Sequence, residues 1–278
     1  MTKEKMFSLC RIAIILMLLP VALAAQEETS DKASQAADLA KQLSNPVADL
    51  VSVPFQFNWE NGVGPNNDLR YVLNIQPVVP FSVSEDWNLI GRWIMPYVSQ
   101  PSLGVGLDPV SGFSDIIASA FFSPAKSSPI WGIGPVAGIP TTTNPLLGSG
   151  KWSAGPTAVV LAQDGPWTYG FLANHLWSFA NTGSVERDNV NQTYVQPFLS
   201  YATPGGVTLG INSESSANWE APSDKWTVPI SGSISKITKF GPFPMSIGAS
   251  AGVYVAKPSG GPDWKLRAVF TLILPKKK

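Results

Sequence analysis

The chain holds 1 cysteine and 1 histidine in 278 residues, and only 14% of its residues carry charge. Soluble domains carry roughly 25%. The 19 basic and 19 acidic groups balance, with no cluster of either sign. That excludes a basic surface for nucleic acid and a charged interaction tail. Long apolar runs are also missing. The apolar run Ile12–Leu19 is far short of the roughly twenty residues that a membrane-spanning helix needs. It follows Lys3, Lys5 and Arg11 and precedes Ala22-Leu23-Ala24, the layout of an export signal cleaved after Ala24. Cys10 would leave with that signal (1–24), so the mature chain would have no disulfide and no thiolate metal site. Losing Lys3, Lys5, Arg11 and Glu4 would leave 16 basic and 18 acidic groups. His175 alone cannot furnish a transition-metal centre.

What the chain does have is glycine, proline, tryptophan and alternation: 24 Gly, 25 Pro and 10 Trp. From Val51 the pattern has a period of two. Val51, Val53, Phe55, Phe57 and Trp59 share one face, and Ser52, Pro54, Gln56 and Asn58 share the other. Lys225–Thr238 and Trp264–Leu274 alternate in the same way. Further strands are expected at Arg70–Phe81, Trp87–Val98, Phe113–Ser123, Pro129–Pro140, Lys151–Ala162, Trp167–Phe179, Val190–Ala202, Val207–Ser216 and Phe243–Val255. Most run about ten to fourteen residues, as a transmembrane strand requires, where globular strands average about five or six.

The connections sort by length. Short ones lie near Ser82–Asp86, Pro124–Ser128, Gln163–Pro166, Thr203–Gly206 and Lys239–Pro242. Long ones lie near Glu60–Leu69, Ser99–Gly112, Thr141–Gly150, Ala180–Asn189, Ala217–Asp224 and Ala256–Asp263. Strict alternation of the two classes marks an up-and-down barrel with tight periplasmic turns and long extracellular loops. Nine of the tryptophans fall near strand ends, with Trp93 the exception, as in the paired aromatic girdles of a membrane barrel. The expected fold is therefore all-β: an antiparallel up-and-down transmembrane barrel of about 12 strands over 51–278. Residues 25–50 form a separate segment. Ala36, Ala37, Leu39, Ala40 and Leu43 give it a short helical stripe, ending near Asn45-Pro46, that either rests in the periplasm or plugs the barrel. Pro77, Pro96, Pro135, Pro156, Pro197 and Pro229 lie inside strands and call for bulges, or for lumen-facing water on the unpaired partner, because proline donates nothing to a ladder. Asp115 shares parity with Phe113, Ile117 and Phe121, so a register shift is expected there.

Several strings together carry a family resemblance: Ala37–Ser52, Val53–Phe57, Asn74–Phe81, Asp86–Ile90, Trp131–Pro135, Ala154–Leu161, Gly165–Gly170, Asn174–Trp177 and Gln196–Tyr201. They resemble a Gram-negative outer-membrane "transporter" family, sometimes mislabelled neuromedin U, which is related to the barrels of the phenol-degradation meta-pathway group. The resemblance spans nearly the whole mature chain. It implies a bacterial outer-membrane location and a general transport role.

No catalytic, cofactor or metal residue is assigned. The chain has no G-x-S-x-G elbow, and His175 and Ser178 point to opposite faces of one strand, although a serine from a neighbouring strand could still reach His175. Gly62–Asp68 resembles a glycine-rich binding loop but precedes no helix, and Asp108 and Asp188 are isolated loop carboxylates. Functional expectation falls on the inner face. With the more apolar face outward, Asn74, Gln76, Arg92, Gln196, Asn212, Glu214, Lys265 and Arg267 line the lumen. The leading expectation is a passive channel for small solutes, hydrophobic or aromatic ones among them. The alternatives are a non-conducting structural or adhesive barrel and a barrel lipid hydrolase. The partners expected are outer-membrane lipid and lipopolysaccharide, the barrel-assembly machinery and a small solute, with no nucleic acid.

Overall fold

A computed structural model describes residues 33–104, 107–182, 187–241 and 243–274. The export signal expected over 1–24 lies outside the described residues. A short helix, α1 (33–43), is followed by the strand segments β1 (Val51–Val63), β2 (Asp68–Ile75), β3 (Val78–Ser82), β4 (Trp87–Gln100), β5 (Val110–Phe113) and β6 (Ile116–Pro124). Then come β7 (Ile130–Ile139), β8 (Lys151–Asp164), β9 (Trp167–Asn181), β10 (Asn191–Ala202), β11 (Val207–Asn212) and β12 (Ser215–Asn218). The last three are β13 (Trp226–Phe240), β14 (Phe243–Ala256) and β15 (Trp264–Leu274).

Three spans are each written as two segments, broken at Gln76-Pro77, Ser114-Asp115 and Ser213-Glu214. Joined across those breaks, the segments make a closed antiparallel barrel of 12 strands. Neighbours in sequence pair around the ring, β9 pairs β10, and the ring closes between β1 and β15 from Val51↔Leu274 to Asn61↔Trp264. The first long connection is tighter than expected. β1 runs on through Glu60 to Val63 and β2 begins at Asp68, because Gly62 takes a positive φ of 92° within a bulge between Asn61 and Val63. This places Glu60 and Arg70 in the wall rather than in a loop.

The barrel is inverted relative to a soluble protein. Phe57, Tyr71, Phe171, Phe179, Ile234 and Leu266 are exposed on the outside, while Ser52, Asn58, Thr168, Ser246, Lys265 and Thr271 are buried inside. An apolar belt around a polar interior is what a bilayer demands of a barrel. Aromatic pairs mark both rims. Trp87–Trp131 and Trp167–Tyr201 meet edge to face at the short-turn rim, and Trp219–Trp226 does so at the long-loop rim.

Pro77, Pro96, Pro135, Pro156, Pro197 and Pro229 each coincide with an irregularity. Pro77 sits in the first strand break, where the Gln76 N–H donates to the Pro54 carbonyl (2.9 Å) and the Trp93 N–H to the Pro77 carbonyl (3.1 Å). Pro96 and Pro197 lie opposite the other two breaks and accept from the Ser114 and Ser213 N–H groups. Pro229 marks a bulge against β14. Pro135 and Pro156 face each other across β7 and β8. The ladder on the far side of each then skips a step, past Ala120-Phe121 on β6 and His175-Leu176 on β9. Gly134 and Gly155 precede these two prolines, and a Cβ there would lie 1.8 Å from the Ala120 and His175 carbonyl oxygens. Only glycine tolerates that approach.

Helix α1 enters the short-turn rim. Its carbonyl at Lys41 accepts from Gln163 Nε2 (2.9 Å), and Ala36 packs against Gly206, where φ is +72°. Ser44 closes the helix by donating to the Ala40 carbonyl, and the Asn45 side chain accepts from the Val47 N–H to turn the chain. Val47 then buries itself against Ile90, Phe121, Val159, Leu161 and Leu172, an apolar patch on the inner wall.

Candidate functional site

The lumen holds two cavities of about 330 and 360 Å³. The first lies toward the short-turn rim beneath α1, lined by Leu43, Asn45 and a hydroxyl-rich wall that includes Ser233, Ser235, Ser246 and Ser250. The second lies toward the long loops. Both are bordered by Gln56, Gln76, Arg92, Glu214 and Arg267, which form a polar belt across the middle of the barrel.

The strand breaks build this belt. Gln76 and Glu214 occupy two of the breaks, where the interrupted ladder frees the side chain to reach inward. Glu214 accepts from Arg267 through both guanidinium Nη atoms (2.7 Å each) and from Lys265 Nζ (2.9 Å). Arg267 Nε donates to Asn58 Oδ1 (2.5 Å), and Asn58 Nδ2 donates to the Gln56 and Val72 carbonyls. From there Gln76 Nε2 donates to Gln56 Oε1 (3.1 Å) and Arg92 Nη2 to Gln76 Oε1 (3.2 Å). One chain of hydrogen bonds thus links β15, β1, the β2–β3 break and β4. Tyr194 extends the belt from β10 by donating to Gln196 Oε1 (3.0 Å). Above it a second cluster joins Arg70 to Glu60 (2.6 Å), and Tyr254 donates to the same carboxylate (2.9 Å).

All eight residues assigned to the lumen by parity border a cavity. Asn74 and Lys265 line the long-loop cavity, Gln196 and Asn212 the other, and Gln76, Arg92, Glu214 and Arg267 both. Sequence reasoning left out Gln56, Asn58, Glu60, Arg70, Tyr194 and Tyr254. For Gln56, Asn58 and Tyr194 the same parity rule was signal enough. Asp115 sits at the second strand break, with its carboxylate on the Ser149 N–H (2.6 Å) and hydroxyl (2.7 Å), pinning the loop 140–150 to the rim. The expected shift is there, and it serves the loop rather than the lumen.

A closed, lipid-faced barrel with a polar interior and short and long rims leaves one architecture. The fold is that of an outer-membrane β-barrel. Solved structures agree. An outer-membrane channel of Pseudomonas putida F1 (COG4313) superposes with a TM-score of 0.62 at 16% identity, covering 81% of this chain and 94% of its own. The NanC porin gives a TM-score of 0.50 at 9% identity, covering 81% of this chain and 100% of its own. No family model and no curated protein sequence matches the chain.

Outside the lumen, the barrel's histidine is engaged across strands. His175 Nδ1 lies 2.8 Å from Thr193 Oγ1 and Nε2 lies 3.1 Å from Asn191 Oδ1, with the Trp177 ring 4.0 Å away. Thr193 Oγ1 also accepts from Trp219 Nε1 (2.8 Å). Ser178, on the opposite face, accepts from the Val190 N–H (3.0 Å). The His175 cluster clasps β9 to β10 at the long-loop girdle. Among the described residues no group of three or more His, Cys, Asp or Glu side chains converges on a point.

Proposed function

We propose that this barrel is a passive outer-membrane channel for small solutes, including hydrophobic and aromatic ones. The observation that carries the reading is the pair of lumen cavities that meet at one polar belt. Side chains fill small eight-strand barrels and leave porins of sixteen or more strands open. Twelve strands leave room for a narrow path with a constriction. The similar fold of the P. putida channel supports the reading at the level of architecture. The reading gives His175 a packing role and the chain no catalytic one. Thr193 Oγ1 already accepts from an indole N–H, which weakens it as a nucleophile.

A second reading has its own support. The belt's ion pairs brace the lumen, and α1 fills the short-turn end, an arrangement that also suits a silent, structural barrel. Planar-bilayer recording of the refolded full chain separates the two, once a heat-dependent shift on SDS–PAGE shows that the barrel has folded. Discrete steps are expected. A folded barrel that stays silent at every voltage would overturn the channel reading.

A further inference from the structure

Resting on that reading, we infer that the long-loop cavity is a binding site for a small amphiphilic carboxylate, its carboxylate on Arg92 and its apolar body against the wall beside it. The charged groups bordering this cavity are Arg70, Arg92, Lys265 and Arg267 against Glu60 and Glu214. Four cations face two carboxylates, an excess of two positive charges in a cavity of about 360 Å³. Such a lumen attracts anions, as rings of Arg and Lys do in anion-conducting pores.

The excess is not spread evenly. Arg70 is paired with Glu60, and Lys265 and Arg267 share Glu214. Arg92 has no carboxylate partner among the described residues. Its one hydrogen bond is from Nη2 to the neutral Gln76 side chain at 3.2 Å. Among the described residues the remaining guanidinium donors meet no partner, and none of them is sealed off from the lumen. An intramembrane cation with spare donors marks a place where a ligand anion completes the pairing.

The wall around Arg92 defines the rest of the ligand. Arg92 stands on β4 between Ile90 and Ile94, which share its inward face. Val72, Ile94, Ile117, Phe121, Leu172 and Leu176 give the cavity one apolar side, and the ion pairs give it the other. A dianion such as phosphate would lose more hydration against that apolar side than one free guanidinium returns. A neutral apolar molecule would leave Arg92 unsatisfied. A monocarboxylate with a compact apolar body satisfies both sides, and a cavity of about 360 Å³ has room for one.

Calorimetry of the refolded full chain in detergent tests this, with benzoate as the rigid probe and acetate and benzyl alcohol as its polar and apolar halves. Benzoate is expected to saturate one site, with affinity at least ten-fold above either half. Arg92→Gln is expected to weaken it at least ten-fold, and Arg92→Lys by less. Where Arg92→Gln lacks the heat-shifted band, Arg92→Met, which suits the apolar wall, carries the same comparison. Equal benzoate affinity in the parent and the folded neutral variant would overturn the site, and so would acetate binding as tightly as benzoate. The two readings fail separately. Arg92-dependent binding by a barrel silent in bilayers would overturn conduction and leave the site. Conduction without Arg92-dependent binding would do the reverse.

Discussion

Lys265 and Arg267 share the single carboxylate of Glu214, and all three side chains are largely buried: 19% of Glu214, 4% of Lys265 and 11% of Arg267 remain exposed. Removing that shared carboxylate leaves both cations charged and unpaired, at a cost of about 3 kcal/mol. Glu214→Gln is therefore expected to lower the unfolding free energy of the lipid-reconstituted barrel, read by urea titration, by about that amount. It would also raise the charge excess in the long-loop cavity from two to three. The reversal potential across a KCl gradient should then move toward that of chloride. An unchanged reversal potential in a folded Glu214→Gln barrel would show that the belt does not border the ion path. Arg92 and Glu214 thus act in opposite senses on one field: Arg92 supplies positive charge and Glu214 tempers it.

Helix α1 and the chain that follows it are the one element that a barrel wall does not require. Val47 covers an apolar inner patch, and Lys41 and Ala36 tie the helix to two short turns. Deleting residues 25–50 leaves every ladder from β1 onward intact and uncovers that patch. The shortened barrel is expected to keep its heat-shifted migration and to show larger unitary conductance than the full chain. Equal conductance would mean that solutes already pass beside α1. The strands themselves were legible in the sequence because period two separates Phe55, Phe57 and Trp59 from Gln56 and Asn58 without any knowledge of neighbours. Parity also carried Asn212 and Glu214 to the lumen, since the break between them keeps both side chains inward. Glu60 and Arg70 were not legible as wall residues, because Gly62 reads as a breaker although β1 runs past it to Val63. Nor could the partnerships be read. That Arg267 meets Glu214 and Asn58, while Arg92 meets only Gln76, depends on registers around the ring from the β11–β12 span to β4. Asp115 was legible as an irregularity but not as the anchor of Ser149, which lies in another loop.

At the scale of the whole molecule, stability is distributed around a ring. The β1–β15 ladder is as continuous as its neighbours, and the first and last long loops reinforce it at the rim. There the Gly64 N–H donates to the Gly260 carbonyl (2.9 Å), the Asp263 N–H to the Asn61 carbonyl (2.7 Å), and Lys257 pairs with Asp263 (2.6 Å). Charged groups gather inside, aromatics at the two rims, and aliphatic side chains on the outside between them. Each region answers to a different solvent: confined water, the interface and hydrocarbon.

The seam between β1 and β15 has a further consequence. Val51 and Leu274 are direct partners at the short-turn rim, so the wall begins and finishes at one point on its circumference. Topologically the wall is a loop of twelve staves that happens to be cut there. A linker from the end of β15 to the start of β1 would make the wall endless, and opening the turn at Gly165-Pro166 would cut it elsewhere at the same rim. A wall permuted in this way, without α1, is expected to refold and to show the same heat-shifted band, with its order of translation changed and its geometry kept.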